Sequence, residues 1–209
     1  NLDASNTRKY TTEKAVYILD DIIGNSKSKK DLKKKIKKTA ESRSPVLVYG
    51  ETGTGKELVV QCLHNESSRR NKPFIAQNCA AIPGTLFESI LFGTKLGSFT
   101  GAKDSKGLIE AANGGTLFLD EINSMDITLQ AKLLRLQEGQ IRRIGDNTTR
   151  PVDVRIIAAL NQNPYEAIEA GKLRSDLFYR LNVINFSLPP LRETRSDIIE
   201  LSSYFLNYF

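Results

Sequence analysis

PVLVYGETGTGKELVV, residues 45–60, decides how this chain is read. Its first six residues, PVLVYG at 45–50, form a short apolar run of the length and composition of a buried strand. GETGTGKE, Gly50 to Glu57, then satisfies G-x-x-x-x-G-K, and helical periodicity follows. Strand, glycine-rich loop and helix in that order are the setting in which this spacing makes a phosphate-binding P-loop. Gly50, Gly53 and Gly55 free the backbone to wrap its N–H groups around an anion, with Glu51, Thr52 and Thr54 completing the loop. The helix that starts near Lys56 adds its positive end, and the lysine adds a point charge for the outer phosphates. Glu57 stands where most P-loops carry a Ser or Thr whose hydroxyl binds Mg²⁺. Metal ligation must then lean on Asp120, water, Thr54 or Glu57 itself.

Outward from this segment the same rhythm repeats. PFIAQN (73–78), TLFLD (116–120), VRIIAALN (154–161) and VINFSL (183–188) are apolar runs separated by stretches of helical period. Five strands alternating with helices predict an α/β domain built on a parallel sheet. GGTLFLDE, residues 114–121, ends its strand in two carboxylates at the edge where parallel sheets bind ligands. Asp120 is placed to hold Mg²⁺ and Glu121 to polarise an attacking water. Asn161, ending its own strand, lies on the same edge, as a γ-phosphate or water contact or as a strand-terminal cap. Two interruptions break the alternation: GTKLGSFTGAKDSKG (93–107), rich in glycine, and QIRRIGDNTTRPVDV (140–154), which predicts a hairpin around Gly145 to Asn147. Long glycine-rich insertions in compact domains are usually functional.

With 209 residues, 40% apolar and 26% charged, the composition is that of a folded globular chain and excludes disordered, collagen-like and coiled-coil classes. A net charge of +6 favours anionic partners. No apolar run approaches the ~20 residues needed to cross a bilayer. The polar start NLDASNTRKY is no signal peptide, so the reading is cytoplasmic, with no membrane partner. Cys62 and Cys79 lack metal-ligand spacing and read as reduced core residues. The only histidine, His64, reads as a packing or surface residue. Lys27 to Ser42 predicts a basic amphipathic helix, with Leu32, Ile36 and Ala40 four apart on one face. Its lysines match the charge of nucleic-acid phosphates, but such a run is more often the solvated face of a helix, and no helix-turn-helix, zinc or aromatic-interleaved signature accompanies it. The chain divides into a lead-in segment (1–26), an α/β core (27–188) and, after Leu188-Pro189-Pro190, a final segment (189–209) that reads as one helix. The apolar ending IIELSSYFLNYF suggests a piece of a longer protein.

A series of motifs spans nearly the whole chain in order: DIIGNS (21–26), GETGTGKE, NCAAIP (78–83), LFGTKLGSFTGA (91–102), GGTLFLDEI, LLRLQEGQIRRIGD (133–146), VDVRIIAALN, LRSDLFYRLNV (173–183) and LPPLRETRSDI (188–198). The series resembles the central AAA+ ATPase domain of bacterial enhancer-binding proteins, the activators of sigma-54 RNA polymerase. In that family a glutamate after the P-loop lysine is normal. The resemblance implies a three-layer P-loop fold with strand order 5-1-4-3-2, followed by the start of a helical lid. It implies ATP and Mg²⁺ bound between protomers of a hexameric ring, hydrolysis, and isomerisation of closed promoter complexes. Ile22, Ile23 and Gly24 would line the adenine, largely through main chain. GSFTGA, Gly97, Ser98, Phe99, Thr100, Gly101 and Ala102, resembles the family's GAFTGA loop with Ser98 in place of the first alanine. Its glycines would make a mobile tip that presents Phe99 to sigma-54. Arg174 and Arg180 match the arginine-finger segment, where a surface salt-bridge lattice is the alternative reading. Asn78 would restrain Glu121, or cap its strand. DNA binding is expected through a domain outside this chain.

Overall fold

The computed structural model describes residues 14–136 and 139–208. The first 13 residues of the lead-in segment, Gln137 and Glu138 of the LLRLQEGQIRRIGD motif, and Phe209 lie outside them. Helix α1 (Lys27–Thr39) leads to β1 (Val46–Tyr49), α2 (Lys56–Asn65) and β2 (Phe74–Asn78). Next come α3 (Gly84–Phe92), the two-residue strands β3 (Gly93–Thr94) and β4 (Ser105–Lys106), α4 (Leu108–Ala111) and β5 (Thr116–Asp120). Helix α5 (Ile127–Leu136) and a hairpin of β6 (Gln140–Ile141) and β7 (Arg150–Pro151) precede β8 (Arg155–Leu160). The chain continues through α6 (Pro164–Glu169), α7 (Ser175–Leu181), β9 (Ile184–Ser187) and α8 (Ile198–Tyr208).

Five strands form one parallel sheet in the order β2-β5-β8-β1-β9. Counted in sequence among the five, this is the expected 5-1-4-3-2. The two-residue period of a strand sends alternate side chains to opposite faces. Val46, Val48, Phe74, Phe118, Ile157 and Ala159 thus pack with α1 and α2. Leu47, Ile75, Leu117, Leu119, Ile156 and Ala158 pack with α3, α4, α5 and α7. With both faces covered, every residue of β8 is buried, which is why these strands read as unbroken apolar runs. Ala15, Leu19 and Ile22 are buried in the α1/α2 core.

A buried cation interrupts the apolar pattern of β8. Arg155 opens β8 and is 2% exposed. Its guanidinium donates to Ala40 O at 2.5 Å and Thr39 O at 3.1 Å, the last carbonyls of α1. Burial pulls its pKa down to about 10, which leaves it charged at neutral pH. This contact ends α1 at Thr39, earlier than the Ser42 that periodicity suggested. The region after Leu188 also differs from expectation. Two 3-10 turns, Leu191–Glu193 and Arg195–Asp197, come before α8, and Thr194 between them leaves the helical region at φ −119° and ψ 50°, which breaks the single helix that was expected.

His64 sits under the sheet, 1% exposed, with its ring 5.1 Å from Phe74 and Nδ1 2.9 Å from Thr116 Oγ1. Burial, reinforced by the Arg155 charge, lowers its pKa from 6.5 to about 4. Below pH 6.5 the unfolded chain takes up a proton that the folded chain refuses, so stability falls as pH drops toward about 4. Urea unfolding at pH 7 and pH 5 should show a loss of about 2 kcal/mol from this group. A His64→Gln chain, whose amide can still meet Thr116, should lack that part of the loss.

Candidate nucleotide-binding site

The carboxyl ends of the central strands meet along one edge. Tyr49 is in register with Leu160 and Asn78 with Asp120. Gly50, Asn78, Asp120, Glu121 and Asn161 therefore leave the sheet side by side. Gly50 donates to Leu160 O at 3.2 Å, and a Cβ there would stand 2.6 Å from Leu188 O. No other residue fits between β8 and the end of β9. The loop then turns through Gly53 and Gly55, both with positive φ (84° and 87°), a conformation that leaves successive N–H groups aimed into one concavity. Thr54 N and Oγ1 both donate to Glu51 O, at 3.3 and 2.8 Å. Thr52 is exposed on the rim, and Glu57 is exposed in the first turn of α2.

Lys56 begins α2 and is 8% exposed. Its ammonium donates to Gly50 O at 2.8 Å and Glu51 O at 3.0 Å. Burial pushes its pKa down, while the carboxylates of Asp120 and Glu121 oppose that shift. A buried cation resting on neutral carbonyls at the mouth of a backbone nest is a site that fits an anion such as a phosphate chain.

Glu121 is the only non-glycine with positive φ among the described residues, at φ 53° and ψ 48°. That left-handed conformation costs about 1–2 kcal/mol, and such strain concentrates at functional positions. Its N–H donates to Asp120 Oδ1 at 2.9 Å. Among the described residues no three His, Cys, Asp or Glu side chains cluster as a metal cage. Asp120 brings one carboxylate to this edge, a kind of ligand that Mg²⁺ takes when phosphate oxygens and water complete its shell.

Asn78 Oδ1 accepts from Ala80 N–H at 2.8 Å, the strand-end cap of the two sequence readings. Only its amide N–H groups remain to reach Glu121. Asn161 Oδ1 accepts from Asn123 Nδ2 at 3.2 Å, a partner the sequence did not signal. Arg174 precedes α7 and pairs with Asp176 at 2.7 Å, and Arg180 is exposed in the last turn of that helix. Ile22 is buried in the α1/α2 core, whereas Ile23 and Gly24 are half-buried. Gly24 backs onto the buried Asp197, which accepts from Ser26 Oγ at 3.0 Å.

Several further contacts lie beyond what the motifs indicated. Arg192, just after β9, forms a two-pronged ion pair with Glu51 of the P-loop, one prong at 2.7 Å. On α2, Gln61 Oε1 accepts from Val16 N and Tyr17 N at 2.8 and 3.2 Å, and Asn65 Nδ2 donates to Ala15 O and Tyr17 O. Together these amides imitate a neighbouring strand and clasp the lead-in segment to the P-loop helix. Gln61 in turn donates to Glu57 at 2.9 Å, which ties the clasp to the residue after Lys56.

The GSFTGA loop is two turns in tandem. Ser98 N donates to Lys95 O and Ala102 N to Phe99 O, so Gly97 and Gly101 each occupy the third position of a turn, at φ 82° and 83°. Phe99 is 53% exposed and Leu96 74%, while Ala102 is buried. Thr100 is exposed, and Ser98 is half-buried against Gly145, where a Cβ would meet Ser98 Cβ at 2.3 Å. The base of the loop is bound to the β6–β7 hairpin through Lys95 N to Ile144 O and Ile144 N to Gly93 O, both 3.0 Å. Lys95 and Arg150 converge on the buried Asp146, whose carboxyl is held well below its usual pKa first by the Thr148 N–H and then by Arg150 and Lys95.

The family model of the sigma-54 interaction domain matches residues 22–187, which covers every element from the segment before α1 to β9. The chain belongs to the sigma-54 interaction domain family. It is 55% identical over 191 residues to the transcriptional activator RocR of Bacillus subtilis, covering 91% of this chain and 41% of RocR. It therefore spans about two fifths of that relative's length. NtrX from Brucella abortus in complex with ADP superposes with TM-score 0.81 at 38% identity, over 89% of this chain and 41% of NtrX. The ATP complex of NtrX gives 0.81 at 37% identity, over 89% and 40%. The chain thus has the P-loop AAA+ fold of sigma-54 activators, a class concerned with regulating transcription. Among the described residues no helix is long and apolar enough to cross a membrane.

Proposed function

We propose that this sigma-54 interaction domain binds and hydrolyses ATP and uses the cycle to drive its GSFTGA loop against sigma-54, opening promoter complexes held closed by the polymerase. The nucleotide-bound NtrX complexes and the anion-shaped P-loop support ATP as the ligand. Gly50 to Glu57 grip the phosphates, with Lys56 neutralising the outer ones, and Ile22, Ile23 and Gly24 border the base, largely through main chain. Asp120 holds Mg²⁺, which when bound screens phosphate charge. Glu121 accepts a proton from water as the water oxygen bonds to the γ-phosphorus. The bond from that phosphorus to the β–γ bridging oxygen breaks, leaving ADP and phosphate. Asn161 and Asn123 position the water, and Asn78 restrains Glu121 until the partner engages. Arg174 or Arg180 of a neighbouring protomer stabilises the charge that develops, which makes a ring, a hexamer in this reading, necessary for turnover. Residues 189–209 begin the lid, the setting is the bacterial cytoplasm, and specific promoter recognition belongs to another part of the full protein.

The observation that carries this reading is Phe99, a large aromatic exposed at the tip of a glycine-shaped double turn whose base is fixed to the sheet domain. A large aromatic held outward suits a protein contact. With a transition-state analogue of ATP present, the chain should capture purified sigma-54, and Phe99→Ala should reduce capture at least tenfold. ATP turnover by the variant should stay within about threefold of the parent chain, and turnover per protomer should rise with protein concentration. Equal capture by both chains would refute the loop's role. A turnover that is flat with concentration would refute an arginine acting between protomers.

A further inference from the structure

The lysine-rich helix α1 takes no part in the site above, yet it holds the charge of the chain. Residues 27–39 contain eight lysines and one acid, Asp31, a net +7 against +6 for all 209 residues, so the rest of the chain sums to −1. Lys27, Lys30, Lys34, Lys37 and Lys38 are exposed. At 3.6 residues per turn they form one strip, opposite the buried Ile36. Among the described residues none of the α1 lysines enters an ion pair. A merely solvated helix usually interleaves both signs, since like charges one turn apart destabilise it. Here Lys30 with Lys34 and Lys34 with Lys38 are such pairs. The fold holds the helix in spite of them, with Ser26 Oγ accepting from Lys29 N at its start and buried Arg155 satisfying Thr39 O and Ala40 O at its end.

We infer that this strip is a docking surface for the phosphate backbone of duplex DNA, without sequence preference. The chemistry of the strip selects the occupant. Exposed positions of α1 carry lysine, Ser28 and Asp31 and no aromatic or apolar side chain, so the anchor that a protein interface needs is missing. The stacking platform that single-stranded nucleic acid needs is missing as well. What remains is a row of point charges about 16 Å long by helix geometry. A duplex presents on the order of ten phosphate charges over that length. An ATPase module so equipped would add a weak, salt-sensitive hold on DNA beside the polymerase, distinct from any sequence-specific module elsewhere in the full protein.

The test is fluorescence anisotropy of a labelled 30-base-pair duplex of mixed sequence, titrated with the 209-residue chain from 50 to 300 mM KCl. Binding should weaken with a log–log slope of about −3, set by three or four neutralised phosphates. Lys30→Gln/Lys34→Gln/Lys37→Gln should weaken binding at 50 mM KCl at least tenfold and bring the slope close to zero. That variant should melt at or above the parent temperature and keep its ATP turnover, which separates this inference from the reading of the catalytic site. Lys103→Gln/Lys106→Gln/Lys172→Gln removes the same charge from exposed positions elsewhere and should leave the slope within about one unit of the parent. Equal losses in both triple variants, no binding at 50 mM KCl, or tighter binding to single-stranded RNA of equal length would each overturn the inference.

Discussion

Lys56→Ala should weaken ATP binding by 100-fold or more while the chain stays folded. The ammonium is nearly enclosed, 2.8 and 3.0 Å from two carbonyls of its own loop, and burial disfavours its charge. Neither carbonyl carries a formal charge, so the cation gains far more from a phosphate than from its present partners. A charge-assisted hydrogen bond contributes about 1.5–3 kcal/mol. Two such bonds to phosphate oxygens account for a loss of between two and four orders of magnitude. The fold should not suffer, because deletion removes a charge that is already costly to bury and leaves Gly50 O and Glu51 O at a solvent-facing loop. Titration with a fluorescent ATP analogue reads the affinity, and thermal melting reads the fold. Affinity within threefold of the parent would remove Lys56, and with it the phosphate-binding reading of the loop, from the mechanism.

The parts of this fold that the sequence announced are those whose signals are local. A buried parallel strand is an apolar run of a certain length, so the five strands were readable to within a residue or two, and the G-x-x-x-x-G-K spacing located the turn between β1 and α2. The β6–β7 hairpin was visible because Gly145 sits between two strand-like flanks. Contacts made across long separations were not legible. Arg155 reads as the polar edge of an apolar strand, and only the fold brings it beneath residues 115 positions earlier to close α1. Gln61 and Asn65 look like ordinary helix polars until residues 15–17 lie alongside them. GSFTGA advertised its glycines, but the turns they serve, and the contact between Ser98 and Gly145 that fixes the loop to the hairpin, depend on tertiary pairing. Glutamate is a common residue after a strand, and no local pattern marks Glu121 as left-handed.

That conformation yields the second large effect. Glu121→Gln should keep ATP affinity within about threefold and lower turnover 100- to 10,000-fold, the range that a positioned general base contributes. Glutamine preserves the shape of the side chain and removes only its capacity to take a proton, so a loss confined to turnover belongs to the chemistry. Glu121→Gly should lower turnover at least as far, and it should also stabilise the chain. At φ 53° and ψ 48° a Cβ is penalised by about 1–2 kcal/mol and a glycine is not. Urea unfolding should therefore place Glu121→Gly about 1 kcal/mol above the parent, with Glu121→Gln close to it. More stable without the side chain and inactive without its carboxylate: that pair of results would mean the fold carries strain at this position for the sake of catalysis. If turnover survived in Glu121→Gln, the water would have to be activated elsewhere on the sheet edge, and the left-handed turn would be left with a structural role alone. If ATP affinity fell in parallel with turnover, the defect would lie in the shape of the phosphate site rather than in proton transfer.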